Sequence, residues 1–92
     1  MVTAVVLIKA ETDQVTGLAE KLAELDGVSE VFSVAGQYDL VALVRVRENE
    51  DLARVISDQM RKLRGITSSE TLIAFKVYSK QDLEAGFALG LD

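Results

Sequence analysis

The stretch LAELDGV, residues 22–28, has a counterpart of equal length in MRKLRGI, residues 60–66. Both place apolar residues at the first, fourth and seventh positions and a glycine at the sixth. Apolar residues at this spacing indicate one face of a helix, and glycine is the residue that most often ends one. Val28 and Ile66 then open segments with strand-forming residues. Each stretch therefore predicts the end of a helix followed by the start of a strand, twice in one chain.

The two predicted helices extend upstream at the same apolar spacing. The first covers residues 14–25, with Asp13 as the candidate N-cap, and the second begins at the candidate N-cap Asn49 and continues to residue 63. Strands rich in apolar and β-branched residues are predicted over residues 3–9, 28–34, 40–46 and 67–78. The element order is therefore β-α-β-β-α-β.

A β-α-β unit used twice predicts an α+β, ferredoxin-like fold: a four-stranded antiparallel sheet with two helices on one face. The domain is predicted over residues 1–78. Residues 79–92 form a C-terminal tail with a short helix, on which Leu83, Phe87 and Leu91 recur at helical spacing. That tail either folds over its own sheet edge or serves as an oligomerisation arm.

The predicted sheet is apolar on both faces. In the first strand Val6 and Ile8 alternate with Val5 and Leu7, and all four are apolar. Helices on one face leave the other face uncovered, and exposing such an apolar surface to water is unfavourable. We therefore expect a face-to-face homodimer, with the two sheets paired as in a dimeric α/β barrel.

Composition excludes several classes of function. The chain has 10 Lys and Arg against 15 Asp and Glu, a net charge of -5, which disfavours direct binding of nucleic acid or an anionic membrane. It contains neither Cys nor His, so thiolate metal sites and the commonest general base are missing. The apolar run over residues 4–8 is too short to span a bilayer, and no basic leader precedes it. We predict a cytoplasmic protein with no catalytic residue, metal site or cofactor.

Two polar clusters are the candidate binding residues. One lies between the second and third strands and the other opens the fourth. Each alone has an ordinary explanation, because glycine, aspartate, serine and threonine are common turn and strand-edge residues. Together they match a zwitterion such as an amino acid: Asp39 for the ammonium group, and backbone N–H groups near Gly36 with several hydroxyls for the carboxylate. The candidate effector-binding residues are Gly36, Gln37, Tyr38, Asp39, Thr67, Ser68, Ser69 and Thr71.

The run DGVSEVFSVAGQYDLVALVRVRENEDL, residues 26–52, followed by LRGITSSETLIAF, residues 63–75, resembles the effector-binding RAM domain of the Lrp/AsnC transcription regulators. The resemblance implies the fold above, face-to-face dimers, their assembly into rings that are commonly octamers, and amino-acid effectors held between dimers. It places Gly36, Tyr38 and Asp39 on the family's glycine-aromatic-aspartate turn. It also places the predicted hydroxyls of the fourth strand on the family's Thr/Ser-rich segment.

One feature departs from the family. Its regulators carry an N-terminal helix-turn-helix, whereas this sequence starts at the first strand. The expectation is a stand-alone, non-enzymatic RAM domain that senses an amino acid, regulates transcription or metabolism indirectly, and joins full-length Lrp/AsnC relatives rather than DNA. One alternative is an ACT-like regulatory module, which pairs sheets edge to edge. Another is a small dimeric α/β-barrel enzyme, which needs a deep cavity and a carboxylate with a shifted pKa.

Overall fold

The predicted strands form one antiparallel sheet, which confirms the ferredoxin-like arrangement. They are β1 (Val2–Ala10), β2 (Val28–Ser33), β3 (Leu40–Val46) and β4 (Ile66–Ile73), in the sheet order β2-β3-β1-β4. The computed structural model describes residues 1–80, so the predicted tail helix lies outside the described part of the chain. Strand β1 is central and pairs with β3 on one side and with β4 on the other.

The first helix, α1 (Val15–Glu24), follows a single 3₁₀ turn over Thr12–Gln14. Asp13 lies inside that turn, so its prediction as the N-cap is wrong. The helix buries Leu18 and Leu22, two of the positions whose spacing predicted it. The amphipathic pattern therefore predicted correctly which face of the helix is buried. The 3₁₀ turn moves the start of the helix from the predicted residue 14 to Val15.

The second helical segment departs from a regular α-helix. It begins as α2 (Asn49–Ala53), widens into a π-helical stretch over Arg54–Gln59, and ends in a 3₁₀ turn over Met60–Lys62. The Met60 N–H donates to the carbonyl of Val55, five residues earlier. Residues five apart in an α-helix point about 140° away from each other. The wider π turn brings them closer to alignment, and both side chains are buried.

The start of this segment also differs from the prediction. Its N-cap is Glu48, one residue before the predicted Asn49. The Glu48 N–H donates to Oδ2 of Asp51 at 3.3 Å, so a carboxylate in the first turn of the helix satisfies the backbone amide of the N-cap residue.

The core lies between the helices and one face of the sheet. Alternate residues of β1 and β3 point toward the helices and are buried, whereas their neighbours are half-buried or exposed. Residues from both helices join the same cluster, which confirms that the helices share one face. The buried hydrophobic residues are Ala4, Val6, Ile8, Leu18, Leu22, Leu40, Ala42, Val44, Val46, Leu52, Val55 and Met60.

Gly65 is required where the second helical segment passes the start of α1. Its φ is +102°, in the left-handed region that favours glycine. A Cβ added there would lie 2.9 Å from the Cβ of Gln14, which is closer than two carbon atoms can approach. The glycine of the second repeat thus ends the helix and also permits this close approach.

Strand β4 ends earlier than predicted. It stops at Ile73 rather than near Tyr78. The Ala74 N–H still donates to the carbonyl of Thr3 at 2.9 Å, but β1 itself begins at Val2, so the chain beyond Ala74 runs past its pairing partner. The alternation of apolar residues predicted a longer β4. The strand ends earlier because β1, its pairing partner, does not extend far enough.

The turn between β2 and β3 is tied to the end of β1 by Asp39. The pairing of β1 with β4 shifts register between Lys9 and Ala10, and the Ala10 N–H donates to Oδ2 of Asp39 at 2.8 Å. The Asp39 N–H in turn donates to the carbonyl of Ile8 at 2.9 Å. The carboxylate therefore satisfies an amide that lies beyond the last pair of β1 with β3, Ile8 with Leu40.

We predict that Asp39→Ala lowers the free energy of unfolding by about 1–2 kcal/mol, because it leaves the half-buried Ala10 amide without its acceptor. Asp39→Asn keeps a side-chain oxygen and should lose less. Chemical denaturation measures both, with the exposed Asp26→Ala as the control. An Asp39→Ala protein as stable as the control would contradict the structural role.

Candidate functional site

The two predicted polar clusters meet at one end of the sheet. The Tyr38 hydroxyl, in the β2–β3 turn, donates to Oε2 of Glu70 in β4 at 2.8 Å. The turn and the first half of β4 lie on either side of the end of β1, so residues distant in sequence become neighbours. Gly36 forms the exposed tip of that turn with a φ of +142°, in the region that favours glycine, and Gln37 beside it is exposed.

The Tyr38–Glu70 pair is the site's electrostatic feature. The hydrogen bond to Glu70, followed by desolvation and the negative charge of Glu70, raises the pKa of the Tyr38 phenol above its ordinary value. The phenol is therefore held as a neutral donor. Sequence reasoning did not choose Glu70 as a binding residue, although a signal was present: it stands in the sequence between the candidate residues Ser69 and Thr71.

Strand alternation divides the hydroxyl-rich segment between two faces. Ser69 pairs with Ile8 and Thr71 with Val6, both buried under the helices, so these two hydroxyl residues face the helical layer. Ser68 and Glu70 occupy the opposite face. The structure thus brings Tyr38 to Glu70 and does not bring it to Ser69 or Thr71.

Thr67 has a separate local role. Its Oγ1 donates to the carbonyl of Lys9 at 3.1 Å, next to the register shift between β1 and β4, while Asp39 bonds the neighbouring Ala10 amide. Thr67 and Asp39 therefore both hold the end of β1 in place, in addition to the binding role predicted for them.

Ser69 and Thr71 line a cleft between β4 and the second helical segment. Its volume is about 340 Å³. Half of the lining residues are apolar, and the polar half includes one basic side chain and no acidic one. The lining residues are Ile56, Ser57, Met60, Arg61, Leu63, Ile66, Ser69 and Thr71.

The sheet face away from the helices is apolar and uncovered. Phe32 is 43% exposed and Leu72 48%, and the central residues of that face are only half-buried. Those central residues are Val5, Leu7, Val41 and Leu43. Within residues 1–80 no group of acidic side chains is arranged to hold a metal ion. No helix in that range combines the length and apolarity needed to cross a membrane.

Comparison with known proteins gives the same assignment as these features. Residues 3–83 match the family described as the Lrp/AsnC ligand binding domain. A helix-turn-helix-type transcriptional regulator of Pyrococcus horikoshii, PH1916, is 37% identical over 78 residues, covering 79% of this chain and 51% of the regulator. The chain thus spans about half the length of the curated relatives it matches.

Solved structures agree in both fold and sequence. TTHA0845 from Thermus thermophilus superposes with a TM-score of 0.82 at 46% identity, covering 87% of this chain and 100% of that one. AsnC of E. coli superposes with a TM-score of 0.78 at 25% identity, covering 85% of this chain and 53% of AsnC. The resemblance first seen in the glycine-aromatic-aspartate turn is confirmed, and the chain belongs to the Lrp/AsnC ligand-binding (RAM) domain family.

Proposed function

We propose that this chain is a non-enzymatic regulatory domain that binds an amino acid and assembles with copies of itself to control transcription. The observation that carries the proposal is an uncovered apolar sheet face that ends in the polar Tyr38–Glu70 pair. The family match and the regulators among its relatives support the regulatory role. The cytoplasm is the compartment in which we expect it to act.

The uncovered face supports a face-to-face homodimer. Val5, Leu7, Val41 and Leu43 run across the two central strands, and Phe32 and Leu72 extend the surface onto the edge strands. Burying such a surface against its own copy removes apolar area from water on both subunits at about 25 cal/mol per Å². We expect four such dimers to assemble into a ring-shaped octamer. Full-length Lrp/AsnC relatives would be able to join the ring through the same contacts.

The proposed amino-acid site lies at the end of that face. Glu70 and Asp39 offer carboxylates for an ammonium group, while Gln37 and the backbone around Gly36 offer donors for the carboxylate. Because the site lies at the exposed end of the sheet, a neighbouring dimer can complete it. A ligand that contacts two dimers stabilises their assembly by its differential affinity for the assembled form. The proposed contact residues are Gly36, Gln37, Tyr38, Asp39, Thr67, Ser68 and Glu70.

The interior favours binding over catalysis. Among the described residues, no polar or charged side chain belongs to the buried class. The apolar core fills the space between the helices and the central strands, and the cleft beside β4 has no carboxylate in its lining, unlike a deep cavity with a carboxylate. The enzyme alternative needs that cavity, so the regulatory proposal is preferred.

We predict that Leu7→Lys weakens self-association at least roughly 100-fold, because dimerisation would bury an unpaired charge at the centre of the apolar face. Sedimentation and light scattering at several concentrations measure the effect. Ala23→Lys adds the same charge on the exposed side of α1 and should assemble like the parent. Equal association of the two variants would show that this face is not the interface.

We predict that at least one amino acid raises the melting temperature and shifts the distribution of oligomers of the parent chain. Screening all amino acids by thermal shift and by light scattering after gel filtration tests this. Tyr38→Phe removes the hydroxyl at the site and should weaken the response about tenfold, whereas Tyr78→Phe, far from the turn, should respond normally. A parent chain that no amino acid stabilises would contradict the effector assignment.

The raised pKa of Tyr38 gives a prediction that needs no ligand. A phenol whose folded-state pKa exceeds its unfolded value contributes stability below that unfolded value, about 10, and loses the contribution as pH rises through the folded-state pKa. In Tyr78→Phe, which leaves Tyr38 as the only tyrosine, ultraviolet titration should give a midpoint above that of free tyrosine. Adding Glu70→Gln should lower the midpoint, and an unchanged midpoint would contradict the pairing.

A further inference from the structure

The cleft on the helical side of β4 has two hydroxyl residues in its wall, one of them at a position that is apolar in the other half of the repeat. Ser69 and Thr71 face the helical layer as the neighbours of Ile8 and Val6. In the sequence repeat, Ile66 corresponds to Val28, so Ser69 corresponds to Val31, which packs against the core. The second half of the repeat therefore carries a short polar residue at a position that packs against the core in the first half. The result is an open cleft with hydrogen-bonding groups on one wall.

Arg61 supplies positive charge to this cleft. In the part of the chain that the structure describes, the ion pair is Asp51–Arg54 at 2.8 Å, and Arg61 takes part in none. A guanidinium group presents a planar fork of donors that matches a carboxylate in two hydrogen bonds. An arginine without an acidic partner, lining a cleft with no acidic residue, is suited to a carboxylate ligand.

The rest of the wall is apolar. Ile56, Met60, Leu63 and Ile66 surround the hydroxyls, and Met60 is only 3% exposed. The π-helical stretch carries Ile56 and Ser57 into the cleft, so the wider turn contributes directly to its lining. A ligand that fits this wall carries a short apolar side group next to its carboxylate.

We propose that this cleft binds a small α-keto or α-hydroxy acid with an apolar side group. Arg61 holds the carboxylate of the ligand, and the hydroxyls of Ser57, Ser69 and Thr71 form hydrogen bonds with its α-keto or α-hydroxy oxygen. The apolar part of the wall contacts the side group of the ligand. An amino acid is excluded as the preferred ligand, because its ammonium group would meet no carboxylate in the lining. The site is separate from the amino-acid site proposed above, since the two occupy opposite faces of β4.

The experiment is calorimetric titration of the full chain with α-ketoisocaproate, with leucine and α-ketoisocaproamide as analogues. Leucine has the same carbon skeleton with an ammonium group, and the amide lacks the negative charge. We expect α-ketoisocaproate to bind at least tenfold more tightly than either one in this cleft. Amide chemical shifts should change at Ser69 and Thr71 and remain unchanged at Gln37, which reports on the other face.

Arg61→Met should weaken α-ketoisocaproate binding roughly 10- to 100-fold, the usual loss for a charge-assisted hydrogen-bonded pair. Arg54→Met removes an equal charge from the same helical segment at an arginine that already has a partner, and should bind like the parent. Ser69→Val restores the residue type of the other repeat and should reduce binding while raising the melting temperature. That stabilisation separates loss of the site from loss of the fold.

Three results would overturn the proposal. They are the absence of α-ketoisocaproate binding to the parent chain, equal losses in Arg61→Met and Arg54→Met, and leucine causing the same shifts at Ser69 and Thr71. An amino-acid response that Tyr38→Phe removes would support the effector site without bearing on the cleft. Failure of one proposal is therefore distinguishable from failure of the other.

Discussion

The two-residue period of the central strand β1 is the constraint on which the rest of the structure depends. Strand geometry sends successive side chains to opposite faces, and β1 is apolar on both. Val6 and its alternate neighbours pack under the helices and form the core, while Leu7 and Val5 face away and leave an apolar surface without a partner. A shift of one residue would exchange these two sets, so the register also decides which surface is left for a second subunit.

The same strand organises the polar end of the sheet. Near Ala10 its pairing with β4 changes register, and the side chains of Asp39 and Thr67 hold that end from two sides. The fixed end sets the position of the β2–β3 turn, from which Tyr38 reaches Glu70. Residues that sequence reasoning assigned to a ligand therefore also support the local structure. Variants at Tyr38, whose bond is exposed, separate the two roles better than variants at Asp39.

Sequence reasoning predicted the fold because the repeat fixes the order of elements and each helix carries a clear apolar stripe. It failed where the outcome depends on a neighbouring element. The end of β4 depends on where β1 begins. The π-helical stretch brings Val55 and Met60 closer to the same side of the helical segment. The alternation of β4 was available in the sequence and would have separated Ser69 from Ser68. The pairing of Glu70 with Tyr38 could not be predicted, because it requires the strand register.

Strand β4 links the two proposed ligand surfaces. Glu70, on the face of the amino-acid site, lies between Ser69 and Thr71, which line the cleft on the other face. Within residues 1–80, β4 is an edge strand paired with β1. A ligand that fixes β4 on one face therefore leaves less conformational freedom for a ligand on the other face to restrict. Coupling of this kind is reciprocal: if an α-keto acid changes the affinity for an amino acid by some factor, the amino acid changes the affinity for the α-keto acid by the same factor. Because an amino acid and its keto acid differ only at the α-carbon, one domain would respond to the balance between them.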